Sequence, residues 1–198
     1  MKVYHRIFML ISIIVVIKLH AYSQNVISED QTISNARNLE VRCKKGTILN
    51  FNSAGKLIIG TLNSDQKFYN GKNAPVYCLG DNIIVFNDLG DVISANLSVD
   101  QTFYNGKNAA VQCLGRSKIE FYESGRLKSA YLLVNNTFYN GRNAPVYCEK
   151  NQKVYFYESG NLQSAILNSK QTFFTVKDQL RLFNKGDMVY FSEEGNVN

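Results

Sequence analysis

The most reactive side chains in this sequence are four cysteines, at positions 43, 78, 113 and 148, each 35 residues after the last. A thiol acts as nucleophile only where a partner, usually histidine, lowers its pKa. Both histidines, His5 and His20, lie in the first 20 residues. A zinc site needs converging ligands, usually closely paired in sequence, whereas ligands repeating every 35 residues run along an axis. No metal or cofactor is therefore expected, and two structural readings remain. A disulfide needs Cα atoms about 4.4–6.8 Å apart. Neighbouring coils of a solenoid would place the cysteines about 4.8 Å apart, and successive hairpins of a meander roughly 10 Å apart. The gapless equivalent in a fifth unit is Phe183, which favours a buried apolar filler and free thiols. Leu180 and Leu182 allow a one-residue slip at that point.

Two further columns recur at the same period. Asp88, Glu123, Glu158 and Glu193 form an acidic column just before a glycine. Paired carboxylates do acid–base work when their environments push their pKa values apart, and a repeat gives each copy a similar setting. A solvated turn is expected there and no catalytic residue; an enzyme using this column is only a remote alternative. Arg37, Lys72, Lys107, Arg142 and Lys177 form a basic column. Tyr69, Tyr104, Tyr139 and Phe174 stand three residues before it, with Asn70, Asn105 and Asn140 between. Cations beside aromatic rings suit an anionic or sugar polymer. Equally, lysines at turns and edges block edge-to-edge pairing, and the tyrosines would then be half-buried core.

The elements that position these columns follow from the same period. FYNGKNAPVYC from Phe68, FYNGKNAAVQC from Phe103 and FYNGRNAPVYC from Phe138 align without gaps, as do FYESGRLKSAYL from Phe121 and FYESGNLQSAIL from Phe156. SEDQTI at 28–33 returns at 63, 98 and 168 as NSDQKF, SVDQTF and NSKQTF. Units therefore run 28–62, 63–97, 98–132, 133–167 and 168–198, leaving no room for a separate catalytic domain. A period of this size means stacked units that cannot bury their own faces alone. Leu49, Ile84, Ile119, Val154 and Val189 precede Phe51, Phe86, Phe121, Phe156 and Phe191 by two residues, the alternation of a half-buried strand. Gly55, Gly90, Gly125, Gly160 and Gly195 then supply a turn at positive φ. A second strand runs to Leu62, Leu97, Leu132 and Leu167, past small residues at Gly60, Ala95, Ala130 and Ala165 that suggest close backbone approach. The Asn-Gly pairs at 70–71, 105–106 and 140–141 signal hairpins, and Pro75 and Pro145 open the cysteine strand. The expectation is all-β: an elongated array of short antiparallel strands and hairpins, about four strands per unit, with a β-solenoid as the alternative.

The segments FYESGRLKSAYL and FYESGNLQSAIL resemble MORN repeats, and more closely the MORN-variant repeats of exported bacterial proteins. The resemblance implies hairpins laid side by side in an elongated twisted sheet, and a scaffold, lipid-surface or partner-binding role. MORN units are shorter, and here each carries an added cysteine strand and an Asn-Gly turn.

The N-terminus bears on location. MKVYHR is followed by the apolar run Ile7–Ile17 and by Ala21-Tyr22-Ser23, the three-part pattern of a secretory signal cleaved before Gln24. The protein is expected to be exported, to the periplasm, cell surface or medium, with no transmembrane span in the mature chain. The full chain has 198 residues and a net charge of +6; residues 1–23 hold three basic residues and no acid, so the remainder carries +3 and neither His nor Trp. That balance makes nucleic acid a poor partner. The expected function is a non-enzymatic binding or scaffold module for a protein or surface polymer. The alternative is a binder of carbohydrate or anionic polymer through the Tyr and Lys/Arg columns.

Overall fold

The computed structural model describes residues 26–197; the expected signal at 1–23 lies outside them. The first unit holds β1 (Gln31–Ser34), β2 (Glu40–Cys43), β3 (Asn50–Phe51) and β4 (Leu57–Thr61). The second holds β5 (Gln66–Tyr69), β6 (Pro75–Cys78), β7 (Ile83–Phe86) and β8 (Val92–Asn96). The third holds β9 (Gln101–Tyr104), β10 (Ala110–Cys113), β11 (Lys118–Phe121) and β12 (Leu127–Tyr131). The fourth holds β13 (Asn136–Tyr139), β14 (Pro145–Cys148), β15 (Lys153–Phe156) and β16 (Leu162–Ile166), and the fifth β17 (Gln171–Phe174), β18 (Leu180–Phe183) and β19 (Met188–Tyr190). No helix occurs among the described residues, and all strand pairs are antiparallel.

The strands form two layers. The last two strands of each of the first four units and β19 of the fifth join one open nine-stranded meander, ordered β3-β4-β7-β8-β11-β12-β15-β16-β19. The first two strands of each unit form a separate hairpin, five in all, such as β5–β6. Each hairpin folds back on its own unit: Cys78 bridges Leu97, and Cys43, Cys113 and Cys148 bridge Leu62, Leu132 and Leu167. A meander advances two strands per unit, roughly 10 Å, so the solenoid alternative is not adopted and neighbouring cysteines are too far apart to bridge. All four thiols are free and buried.

The core fills the space between the layers. Phe68, Val76 and Cys78 face down from one hairpin onto Ile84, Phe86, Val92, Ala95 and Leu97 of the sheet, all buried. Phe68 meets Phe86 edge to face, with ring centroids 5.1 Å apart, and Phe103–Phe121, Phe138–Phe156 and Phe173–Phe191 repeat the contact at 5.0, 4.9 and 4.9 Å. Such pairs add about 0.5–1.5 kcal/mol each beyond their buried area. Burial pushes the thiols of Cys78, Cys113 and Cys148 up to about 12 and that of Cys43 to about 11. They therefore stay neutral, each donating to the valine carbonyl two residues back.

Three sequence expectations take a different form. The slip at Leu180 and Leu182 does not occur: Phe183 pairs with Gln171 as Cys78 pairs with Gln66. Arg181 thus occupies the column of the buried Val76, and it is exposed at the end of the array. At Gly60 the small residue answers side chains rather than a neighbouring backbone, since a Cβ there would lie 3.2 Å from Cys43 Sγ and 3.3 Å from Leu49. Finally, the Asn-Gly turn is a five-residue loop, not a tight two-residue one. Asn70 N donates to Ala74 O at 3.1 Å and Asn73 N to Asn70 O at 2.9 Å, with Asn73 at φ 57°.

Candidate functional site

The basic–aromatic columns lie on the hairpin layer, and their surroundings start with the loop that carries them. Asn70 is buried; its Oδ1 accepts from Lys72 N at 3.0 Å and Ala74 N at 2.9 Å, and its Nδ2 donates to Gly125 O of the next unit at 3.1 Å. Asn35, Asn105 and Asn140 repeat this, reaching Gly90, Gly160 and Gly195. The glycine after the asparagine is needed for contact rather than for its φ. A Cβ on Gly141 would lie 2.1 Å from Glu193 O, and one on Gly106 2.4 Å from Glu158 O. Each hairpin loop is thus pressed backbone to backbone against the sheet turn of the next unit. In the fifth unit Thr175-Val176 replaces the pair, and Val176 is exposed.

The same logic accounts for the D-Q motif, which the sequence displayed but whose role it left unread. Asp65 Oδ1 accepts from Gly80 N at 2.7 Å, and Asp30, Asp100 and Asn135 accept in the same way from residues 45, 115 and 150. The neighbouring amide spans the gap between hairpins. Gln101 Oε1 accepts from Tyr77 N at 2.9 Å while its Nε2 donates to Pro75 O at 3.2 Å. Gln66 binds Arg42 N and O, and Gln171 binds Tyr147 N and Pro145 O. Hairpins roughly 10 Å apart cannot form a ladder directly, so one side-chain amide supplies the missing donor and acceptor. The signal was the recurrence of the motif at multiples of 35 residues.

Most of the basic column is engaged in the same unit-to-unit traffic. Arg37 pairs with the buried Asp91 and donates to Asn73 Oδ1 at 2.7 Å. Lys107 Nζ donates to Asn143 Oδ1 at 3.1 Å. Arg142 reaches Asp178 at 2.6 Å and Asn196 at 2.7 Å, with its guanidinium 5.1 Å from the Phe174 ring centre. Lys72 and Lys177 are exposed. Three members of the column therefore lace their turns to the next unit, and the column does not present five free cations.

The aromatic column is different. Tyr69 is half-buried, with Lys67 Nζ 5.7 Å above its ring, whereas Tyr104 is 57% exposed, Tyr139 49% and Phe174 42%. These rings point away from the core, because Phe68, Phe103, Phe138 and Phe173 beside them point into it. Across each hairpin they face Pro75, Ala110, Pro145 and Leu180, and Tyr77 and Tyr147 extend the surface at 43% exposure each. The result is an outward row of rings over four successive units. The first unit has Ser34 opposite Glu40 instead.

Elsewhere the chemistry is self-contained. Asp88, Glu123, Glu158 and Glu193 are exposed at turns. The acid held farthest from its ordinary range is Glu120, on the far face of the sheet. Its partial burial works against ionisation, but hydrogen bonds from Ser129 at 2.5 Å, Lys118 at 2.9 Å and Lys153 at 3.1 Å outweigh this and bring it down to about 2. An acid so fully compensated is a poor proton donor or acceptor near neutrality. Among the described residues no group of three or more His, Cys, Asp or Glu converges as metal ligands do, and no helix is long and apolar enough to cross a membrane. No family model matches the chain, and no curated protein matches it.

Proposed function

We propose that this chain is an exported, non-enzymatic β-repeat protein of MORN-variant-like type that serves as a binding scaffold, and that its outer hairpin face carries the partner. The observation that carries the reading is the division of labour among the repeated side chains. Asparagine and most of the basic column bind the next unit, glutamine binds the preceding one and aspartate ties its own unit together, while the Tyr104 and Tyr139 rings project into solvent. Exposed tyrosines supply large contact area with a hydroxyl handle, and a stiff array sets them at fixed intervals. The anionic-polymer alternative has less support, since Arg37, Lys107 and Arg142 are already bonded.

The test compares the secreted chain with a Tyr69→Ser, Tyr104→Ser, Tyr139→Ser variant for attachment to envelope material of the producing cell. Because the rings lie outside the core, the variant should keep its melting temperature and lose most of the attachment. Equal attachment by both proteins would remove this reading. Retention on immobilised heparin beyond that of a charge-matched control would favour the anionic alternative.

A further inference from the structure

Resting on that reading, we infer that the ring row binds single soluble chains of an uncharged, extended polysaccharide, of the kind built from equatorially linked pyranose residues. Four features of the hairpin face support this ligand class. First, the rings are repeated at one interval. Each unit adds two sheet strands, so equivalent rings are roughly 10 Å apart, about the length of two pyranose residues in an extended chain. In such chains alternate residues turn the same apolar C–H face to one side, so one ring per two residues meets equivalent sugar faces. Second, the row is flanked by small or apolar side chains: Pro75, Ala110 and Pro145 lie directly opposite Tyr69, Tyr104 and Tyr139. Tyr104 and Tyr139 stand open in this setting, whereas the Lys67 ammonium lies over the Tyr69 ring and the Arg142 guanidinium over that of Phe174. Third, hydroxyl groups suited to sugar hydrogen bonds lie beside the rings, since Thr102 and Thr137 are exposed on the same strand faces as Tyr104 and Tyr139.

The fourth feature is charge. Arg37, Lys107 and Arg142 already bond to the following turns, and Asp178 lies on Arg142. A polyanion would have to displace these contacts, whereas a neutral chain leaves them in place. The geometry also separates a soluble chain from a flat crystalline surface. Neighbouring strands rotate by about 20° or more, hence about 40° per unit, and a row that turns in this way cannot lie on a plane across four units. A single flexible chain can follow it.

The experiment is calorimetric titration of the secreted chain with β-1,4-linked gluco- and manno-oligosaccharides of two, four, six and eight residues. An α-1,4-linked series and heparin fragments serve as controls. Affinity should rise by about fivefold for each further ring engaged, that is for each two residues added, as expected for contacts of roughly 1 kcal/mol. The Tyr104→Ser, Tyr139→Ser variant should lose most of that rise. A flat length dependence, preference for the α-linked series or heparin, or unchanged binding by the variant would overturn the inference. If none of these sugars binds but attachment to envelope material still depends on the tyrosines, the ligand class is wrong and the scaffold reading stands. If neither depends on the tyrosines, both fall.

Discussion

A buried asparagine joins each of the first four units to a neighbouring one, and Asn105→Ala probes that joint at the centre of the array. The substitution removes three hydrogen bonds: Oδ1 from Lys107 N at 3.0 Å, Oδ1 from Ala109 N at 2.9 Å, and Nδ2 to Gly160 O at 3.1 Å. Lys107 is exposed and Ala109 half-buried, so water reaches part of the vacated site and the lower end of the penalty applies to those two groups. Taking about 1 kcal/mol for each lost bond gives a loss of about 3 kcal/mol. For a chain of this size that is a fall in melting temperature of about 6–12 °C. Asn105→Asp separates the two roles. It keeps an acceptor for the two loop N–H groups and sets a carboxylate oxygen against Gly160 O. It should therefore be as damaging as alanine at neutral pH and recover on acidification below the usual carboxylate range, about pH 4, where a protonated carboxyl can donate. The assay is urea unfolding followed by circular dichroism at pH 7 and pH 3.5. A loss under 0.5 kcal/mol for Asn105→Ala, or an aspartate variant indifferent to pH, would refute the account of the loop.

Four other outcomes follow from the same geometry. Phe121→Ala should cost about 3–5 kcal/mol by cavity formation; an unchanged denaturation midpoint would contradict its place in the core. Glu120 has a folded pKa lowered from 4.5 to about 2, so its contribution is present above pH 4.5 and lost as pH falls toward 2; the stability gap between wild type and Glu120→Gln should close across that window. The thiols are shifted the other way, from 9.0 to about 12 for Cys113, so their contribution is present below pH 9 and lost as pH rises through that interval. Alkaline destabilisation should be smaller in Cys113→Ala than in wild type, and native wild-type protein should react with a thiol reagent only as fast as it opens. Gly141→Ala should disrupt the contact with the fifth unit, because its Cβ would fall 2.1 Å from Glu193 O; faster proteolysis after residue 167 than in wild type is the expected sign.

The layer arrangement shows what a single sequence can convey. The Phe86 and Ile84 columns revealed their burial through period-2 alternation, and Gly90 its turn, at φ 84°. Meander against solenoid stayed open because both satisfy the same alternation; the choice is made by which edges pair, a contact between residues such as Ala95 and Ile119 that no local pattern encodes. Gly71 shows the limit more sharply. Asn-Gly is a hairpin signal through positive φ, yet here Asn73 carries the positive φ and Gly71 is small because Glu123 O of the next unit would lie 2.8 Å from its Cβ. The residue type was legible and its reason was not, since the reason lies 52 positions away. The basic column shows the same limit. Arg37, Lys107 and Arg142 left a binding row and a guard of turns and edges both open; their partners Asn73, Asn143 and Asp178 stand 36 residues on, one unit plus one residue, an offset visible only once units are stacked.

These offsets also suggest how the array separates stability from recognition. Bonds between units depend on side chains at loop ends and on the glutamine of the Asp-Gln motif, reaching 24 to 55 residues along the chain. None of them uses the outward positions of the hairpin strands. Residues such as Thr102, Gln112, Tyr104 and Ala110 can therefore change without weakening the joint to the next unit, whereas Asn105 or Gly106 cannot. Arrays whose stability is a sum of units and nearest-neighbour interfaces gain from this arrangement, because each unit can carry its own surface chemistry at a fixed distance from the next. Tyr77 and Tyr147 against Gln112 show such variation already present on the outer face. The rings at 104 and 139 bracket that variable position on both sides, so the chemistry between neighbouring rings is set by Gln112 and Tyr147. Exchanging Gln112 for Tyr should leave the melting temperature within about 0.5 kcal/mol of wild type, as for other surface changes, while altering ligand affinity. A large stability change instead would show that the outer face also takes part in holding the units together.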